Sequence, residues 1–261
     1  MKQLITILLT LTIGFSQSLS KEEKEIGSYI DNHTNEAIDL VEKVVNINSG
    51  TLNMEGNKKV GKIFQAELDK LGFHTYWVTY PDDVKRSGHL FAEMRGGKGK
   101  NILLIGHLDT VFEPDHPFQK YTRKGDTAYG PGVSDMKAGD VSMIYIMKAL
   151  DKIGVLQDLN LTLAFTGDEE KTGGPVSIVR KELVEAGKWA NIGLGFEGAV
   201  GMNTGTIARR SASSWVLTTT GIQGHSSQIF KDHLGYGAIF EASRILNAFR
   251  EELAPEEYLT F

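Results

Sequence analysis

The 261 residues contain no cysteine and only six prolines. Without cysteine there is no disulfide and no lipid-bearing thiol, so the fold must be held by its core and by whatever metal it binds. Basic runs are missing too. The formal charge is −5 and the lysines and arginines are at most paired, so nothing suggests a nucleic-acid surface. Long apolar runs are also absent. The longest, Leu4 to Phe15, is too short to span a bilayer comfortably. Lys2 precedes it, small polar residues follow from Ser16 to Ser20, and Lys21-Glu22-Glu23-Lys24 begins a charged segment. This reads as a secretory signal over residues 1–20, so the expected location is secreted or periplasmic, with no membrane association after cleavage.

What is present is an ordinary globular composition, 41% hydrophobic and 23% charged, long enough for one large domain or for one domain and part of another. No repeats or low-complexity segments interrupt it. Apolar residues recur at three- and four-residue steps from Lys21 to about Ile47 and from Lys58 to Leu71, which predicts two helices joined by a polar loop over Asn48 to Asn57. Gly72 suits the left-handed position that ends the second helix. Strands are expected over Phe73 to Tyr80, His89 to Arg95 and Asn101 to Gly106, with His74 and His89 on the strand surface. Further on come a helix from Lys137 to Ile153, a strand from Leu159 to Thr166, a helix from Pro175 to Ala186 with Gly187 after its end, and a short buried strand from Ile192 to Phe196. Alternating strands and helices predict an α/β fold, a mixed but mainly parallel sheet flanked by helices. Beyond Thr206 a half-buried strand from Ser213 to Gly221 and an amphipathic helix from Gly237 to Glu252 look like the start of a second domain. Left alone they would expose apolar faces, so the chain is expected to be part of a longer protein.

The chemistry gathers at strand ends. His107 and Asp109 follow the third strand in Gly106-His107-Leu108-Asp109-Thr110. A His and an Asp in such a place are ordinary loop residues unless partners follow. They do. Asp135 lies 26 residues after Asp109, behind the turn Gly130-Pro131-Gly132; Asp168-Glu169-Glu170 follows the strand ending at Thr166, and Glu197 the one ending at Phe196. In open α/β sheets the carboxyl ends of the strands are where ligands bind. Carboxylates gathered there repel one another unless cations neutralise them. Oxygen ligands with one imidazole suit zinc, and also manganese or cobalt. One carboxylate can bridge two such ions, and of two adjacent glutamates one can ligate while the other serves as general base.

The segments Gly-His-Leu-Asp-Thr-Val, Gly-Pro-Gly-Val-Ser-Asp-Met-Lys-Ala-Gly, Thr-Gly-Asp-Glu-Glu and Phe-Glu-Gly resemble, in order and spacing, the di-zinc metallohydrolases. That family includes glutamate carboxypeptidase of the carboxypeptidase G type, acetylornithine deacetylase, succinyl-diaminopimelate desuccinylase and the aminoacylases. The resemblance implies a zinc-exopeptidase-like catalytic domain over residues 21–208 and an incomplete α+β lid, or dimerisation, domain over 209–261. It further implies His107 and Glu197 on one zinc, Glu170 on the other and Asp135 bridging both. Asp109 would accept a hydrogen bond from the His107 ring and fix its tautomer. Glu169 would be the general base. His225, in Gly224-His225-Ser226-Ser227, would reach a neighbouring active site across a homodimer and stabilise an oxyanion. His116 and His233 match no motif and are read as surface residues. The Asp135-Met136 peptide is expected to be cis.

One departure matters. The family's second zinc takes a final histidine from beyond the lid, which this sequence does not reach. The second site is therefore incomplete here, and these residues alone would have weak or no hydrolase activity. Three readings follow: a secreted zinc exopeptidase or N-acyl amino acid amidohydrolase, a di-zinc aminopeptidase, or a truncated, non-catalytic metal-binding relative. The lid signature speaks against the aminopeptidase type. A peptide or N-acyl amino acid is the expected substrate.

Overall fold

The computed structural model describes residues 18–201, 204–209 and 214–253. Most of the expected signal segment, residues 1–17, lies outside them. Among the described residues no helix is long and apolar enough to cross a membrane.

The first helix, α1 (Lys21–Val45), opens on a capping box. The Ser20 hydroxyl accepts from Glu23 N (3.1 Å), and the Glu23 carboxylate accepts from Ser20 N (2.7 Å). Helix α2 (Met54–Lys70) starts four residues before the expected Lys58, because Asn53 caps it by accepting from Gly56 N. Gly72 adopts φ +83° beyond its end, as expected. The strands are β1 (His74–Val78), β2 (His89–Arg95), β3 (Lys98–His107), a small hairpin of β4 (Thr122–Lys124) and β5 (Thr127–Tyr129), then β6 (Leu159–Thr166) and β7 (Ile192–Gly195). Helix α3 (Ala138–Lys152) lies between β5 and β6; α4 (Val176–Val179) and α5 (Lys181–Trp189) lie between β6 and β7.

The main sheet runs β1-β2-β6-β3-β7. β2 pairs antiparallel with both β1 and β6, while β3 pairs parallel with β6 and with β7. Only β2 opposes the rest, which is the mixed, mainly parallel arrangement expected. One face carries the main core, where Phe64 and Leu68 of α2 and Ile144 and Met147 of α3 meet Leu90, Leu163 and Phe165. On the other face Phe91, Leu103 and Ala164 pack against Leu183 and Ala186 of α5. Helices on both sides explain why the central strands read as nearly continuous apolar runs.

Several expectations need correction. The helix expected from Pro175 to Ala186 is broken at Arg180 (φ −109°, ψ 2°), and Gly187 lies inside α5 rather than after it. β7 is exposed along its length, not buried, because it forms the sheet edge. His89 is not on the strand surface. It is fully buried, since α4 covers that end of β2 and offers it the Val179 carbonyl. His74 is exposed as expected.

The chain divides into two compact units between Gly198 and Ala199. The second contains short 3-10 turns at Ser226–Gln228 and Asp232–Leu234, then helix α6 (Ala238–Glu252). Ser213 lies outside the described residues, and residues 214–221, expected as a strand, pair with no strand among those described. Strand formation needs a ladder partner, which an alternating sequence cannot itself supply.

Candidate metal centre

The register of β3 and β6 sets the site. His107 is opposite Thr166, and Leu108 N donates to Thr166 O (2.7 Å), so the two chains leave the sheet side by side. His107 is buried. Its Nδ1 lies 3.0 Å from the Asp109 carbonyl oxygen and 3.5 Å from Asp109 Oδ1. The expected ring contact is thus made mainly through the Asp109 backbone. The Asp109 carboxylate, also buried, is committed elsewhere. It accepts from Thr51 Oγ1 (2.7 Å), Glu169 N (3.0 Å) and Glu170 N (3.1 Å). Burial pushes its pKa up, but the His107 ring, the Thr51 hydroxyl and the Glu169 amide outweigh burial and hold it below the ordinary value.

Asp135 is carried by the π-type turn Val133–Lys137 that precedes α3. Gly132, at φ +73°, makes the bend, and a Cβ there would also lie 2.6 Å from Thr110 Cγ2. The Asp135-Met136 peptide is cis, as expected. Two residues on, Lys137 turns inward. Its Nζ donates to the carbonyls of Val44 (3.0 Å) and Ile47 (3.1 Å) at the C-terminal end of α1, where a cation is favoured. Burial brings it down to about 8. Asp135 thereby faces His107, with Oδ1 3.0 Å from Nε2. Glu197 arrives from the β7 side, where Phe196 N donates to Ile105 O (3.3 Å), and its Oε1 is 3.4 Å from the same Nε2. Gly139 lets α3 approach this strand end: a Cβ there would meet Phe196 O at 2.1 Å.

Among the described residues, two trios have ligand atoms all within 4.8 Å of one another. They are His107, Asp135 and Glu197, and His107, Glu169 and Glu170. The first is the set expected around one metal. The centre is short of positive charge. Glu170 is pushed up to about 7, first by burial and then by Asp135; Glu197 is raised by the same two causes. The fully buried Asp140 is raised by burial, and neither of its oxygens has a hydrogen-bond partner among the described residues. Burial works against a charged His107 ring, yet Asp109, Asp140 and Glu197 outweigh it and raise it to about 10. Carboxylates crowded about one imidazole, with Glu170, Glu197 and Asp140 holding their protons more tightly than usual, are what a divalent-cation site looks like before its charge is balanced. The residues fit such an ion.

Sequence reading missed Thr51, Lys137, Asp140, His89 and Arg180. Only Lys137 stood inside a quoted motif; the others match no motif, Thr51, His89 and Arg180 have partners 58, 90 and 12 residues away, and Asp140 has no hydrogen-bond partner among the described residues. His225 lies in the second unit, exposed, with Nδ1 2.9 Å from Ser227 Oγ.

The chain is similar to several known proteins. Carboxypeptidase G2 of Pseudomonas sp. is 32% identical over 215 residues, covering 80% of this chain and 49% of the relative. A probable succinyl-diaminopimelate desuccinylase of Staphylococcus epidermidis is 30% identical over 172 residues, 63% of this chain and 40% of the relative. The chain thus spans about half the length, or less, of these curated relatives. Among solved structures, the dipeptidase Dug1p from Saccharomyces cerevisiae aligns with a TM-score of 0.58 at 16% identity, over 91% of this chain and 59% of that one. Human carnosine dipeptidase 1 aligns with a TM-score of 0.56 at 18% identity, over 86% and 52%. At such identities these two speak for the fold alone. The model of peptidase family M20/M25/M40 matches residues 103–244, from within β3 through the metal centre and on into the second unit. With more than half its length matched, the chain belongs to peptidase family M20/M25/M40.

Proposed function

We propose that the chain carries the catalytic centre of a secreted, zinc-dependent exopeptidase or amidohydrolase that cleaves the amide of a peptide or an N-acyl amino acid. The observation that carries this reading is the approach of Asp135 (3.0 Å) and Glu197 (3.4 Å) to His107 Nε2, with Glu169 and Glu170 gathered on the same ring. His107, Asp135 and Glu197 would hold one zinc, and Asp135 and Glu170 would contribute to a second. Bound zinc supplies an acidified water and a polarised carbonyl. Glu169 takes the proton of the attacking water and delivers it to the leaving amine. Asp109 fixes the loop on which Glu169 sits. His225 donates to the developing oxyanion from a second subunit, joined through the lid domain. The apolar run from Leu4 to Phe15 behind Lys2, the small polar residues to Ser20 and the charged segment after them support export.

The test is hydrolysis by the purified full-length protein, loaded with zinc, of a panel of dipeptides and N-acyl amino acids. Turnover that disappears with a chelator and returns with zinc is the expected result. Zinc binding without turnover of any member would favour a non-catalytic metal-binding relative instead. A protein that binds no divalent ion would end both readings.

A further inference from the structure

The loop that carries Glu169 and Glu170 hangs between two buried carboxylates. Asp109 takes the amides of both glutamates. The other carboxylate is Asp168, on the loop itself and fully buried. Its Oδ2 accepts from Gly173 N (2.8 Å), closing the loop on itself, and its Oδ1 accepts from Nη1 of Arg180. The second guanidinium nitrogen, Nη2, donates to the Asp168 carbonyl (3.0 Å) and lies 3.2 Å from Thr172 Oγ1. One planar group therefore grips the loop at its start and near its end. Buried ion pairs contribute little net stability, because desolvation offsets the attraction. What a guanidinium supplies is a rigid set of donor directions.

Arg180 is itself held in place. It occupies the break between α4 and α5, which lets its side chain turn back to the loop. The preceding carbonyl, Val179 O, accepts from Tyr80 Oη (2.8 Å) and lies 2.9 Å from His89 Nε2. His89 Nδ1 accepts from Gly167 N (3.2 Å), which places the ring proton on Nε2 and leaves the imidazole neutral. Strand β2, helix α4 and the first residue of the glutamate loop are thus joined through one buried ring. Core packing alone would call for an apolar side chain at His89.

We infer that Arg180, braced by His89, is a positioning residue that sets the Glu169–Glu170 loop through Asp168. This rests on the proposed roles of the two glutamates. Among the described residues Arg180 makes no hydrogen bond or ion pair with the proposed metal ligands or with Glu169. A loop displaced by about an ångström would lower turnover by up to roughly 10²-fold with little change in substrate binding.

The test uses the full-length, zinc-loaded enzyme. Arg180→Met strands a buried charge and can fail to fold, so the deciding variant is the neutral pair Asp168→Asn with Arg180→Gln. The expected result is a folded protein whose kcat falls about 10- to 100-fold while KM moves less than about threefold. Arg180→Lys should recover only part of the loss, since it restores the charge without the fork. Hydrogen exchange of peptides covering residues 167–173 should quicken in the double variant. A folded double variant with wild-type kcat and wild-type exchange would overturn the positioning role. If the wild-type protein hydrolyses nothing, the functional reading fails, and the exchange comparison still decides whether Arg180 holds the loop.

Discussion

The two sides of the metal centre are built differently. On one side His107, Asp109 and Asp168 are buried, and the two carboxylates are spent on hydrogen bonds within the chain. On the other, the side chains of Asp135 and Glu197 are 62% and 39% exposed and face mainly one another and the imidazole. Carboxylates of the first kind organise the fold and are satisfied without any ion. Those of the second kind are not balanced until a cation arrives. Identical chemical groups thus divide into scaffold and ligand according to whether backbone amides reach them.

The largest effect should fall where the two sides meet. Glu169 has its amide on the scaffold side and its carboxylate on the open side. Glu169→Gln keeps the amide and removes the proposed base, so turnover of a substrate cleaved by the full-length protein should drop by about 10²- to 10⁴-fold with bound zinc unchanged. Loss of zinc instead, measured by elemental analysis, would make Glu169 a ligand. Next in size, Asp109→Ala leaves the Glu169 and Glu170 amides and the Thr51 hydroxyl without their acceptor. It should cost about 3 kcal/mol in urea unfolding of the metal-free protein. Asp135→Ala, on the open side, should stay within about 0.5 kcal/mol in the same assay. Equal losses at both positions would erase the distinction.

The two sides should also fail at opposite ends of the pH range. Asp109 binds its proton more weakly in the folded chain than in the unfolded one. Its contribution is present above the unfolded carboxylate value and is lost as pH falls through the lower folded value. Glu170 behaves in reverse. Raised from 4.5 to about 7, it favours folding at low pH, and that contribution is lost as pH rises between those values. Zinc should therefore raise the melting temperature more at about pH 7.5 than at about pH 5, and an equal shift at both would contradict the assignment. The smallest effect should lie far from the centre. In protein that retains Ser20, Ser20→Ala, breaking the capping box of α1, should cost about 1 kcal/mol. An unaltered stability would mean that the cap does not persist in solution.

The fold was largely legible because the central strands are covered on both faces and show it as apolar runs, as from Ile102 to Ile105. The candidate ligands could be picked out because His107, Asp135, Glu170 and Glu197 each stand at the end of such a run or behind a glycine turn. What could not be read was set by distant partners. His89 sits in a strand like any other residue until α4 arrives over it. The break at Arg180 has no proline or glycine to announce it. The exposure of β7 depends on its place at the sheet edge, which periodicity does not encode. The register that puts His107 beside Thr166 is likewise a property of two strands rather than of one.

Asp109 bears on the order in which the molecule is made. Its carboxylate joins groups 58 residues before it and 60 and 61 residues after it. Links of such span close late, because the intervening chain must first be collapsed. A chain emerging from the ribosome can present His107 and Asp109 long before Glu169 and Glu170 exist. It cannot fix the geometry of the centre until the strand ending at Thr166 has docked. The three hydrogen bonds of Asp109 can therefore form together only when the strand ending at Thr166 lies beside the one ending at His107.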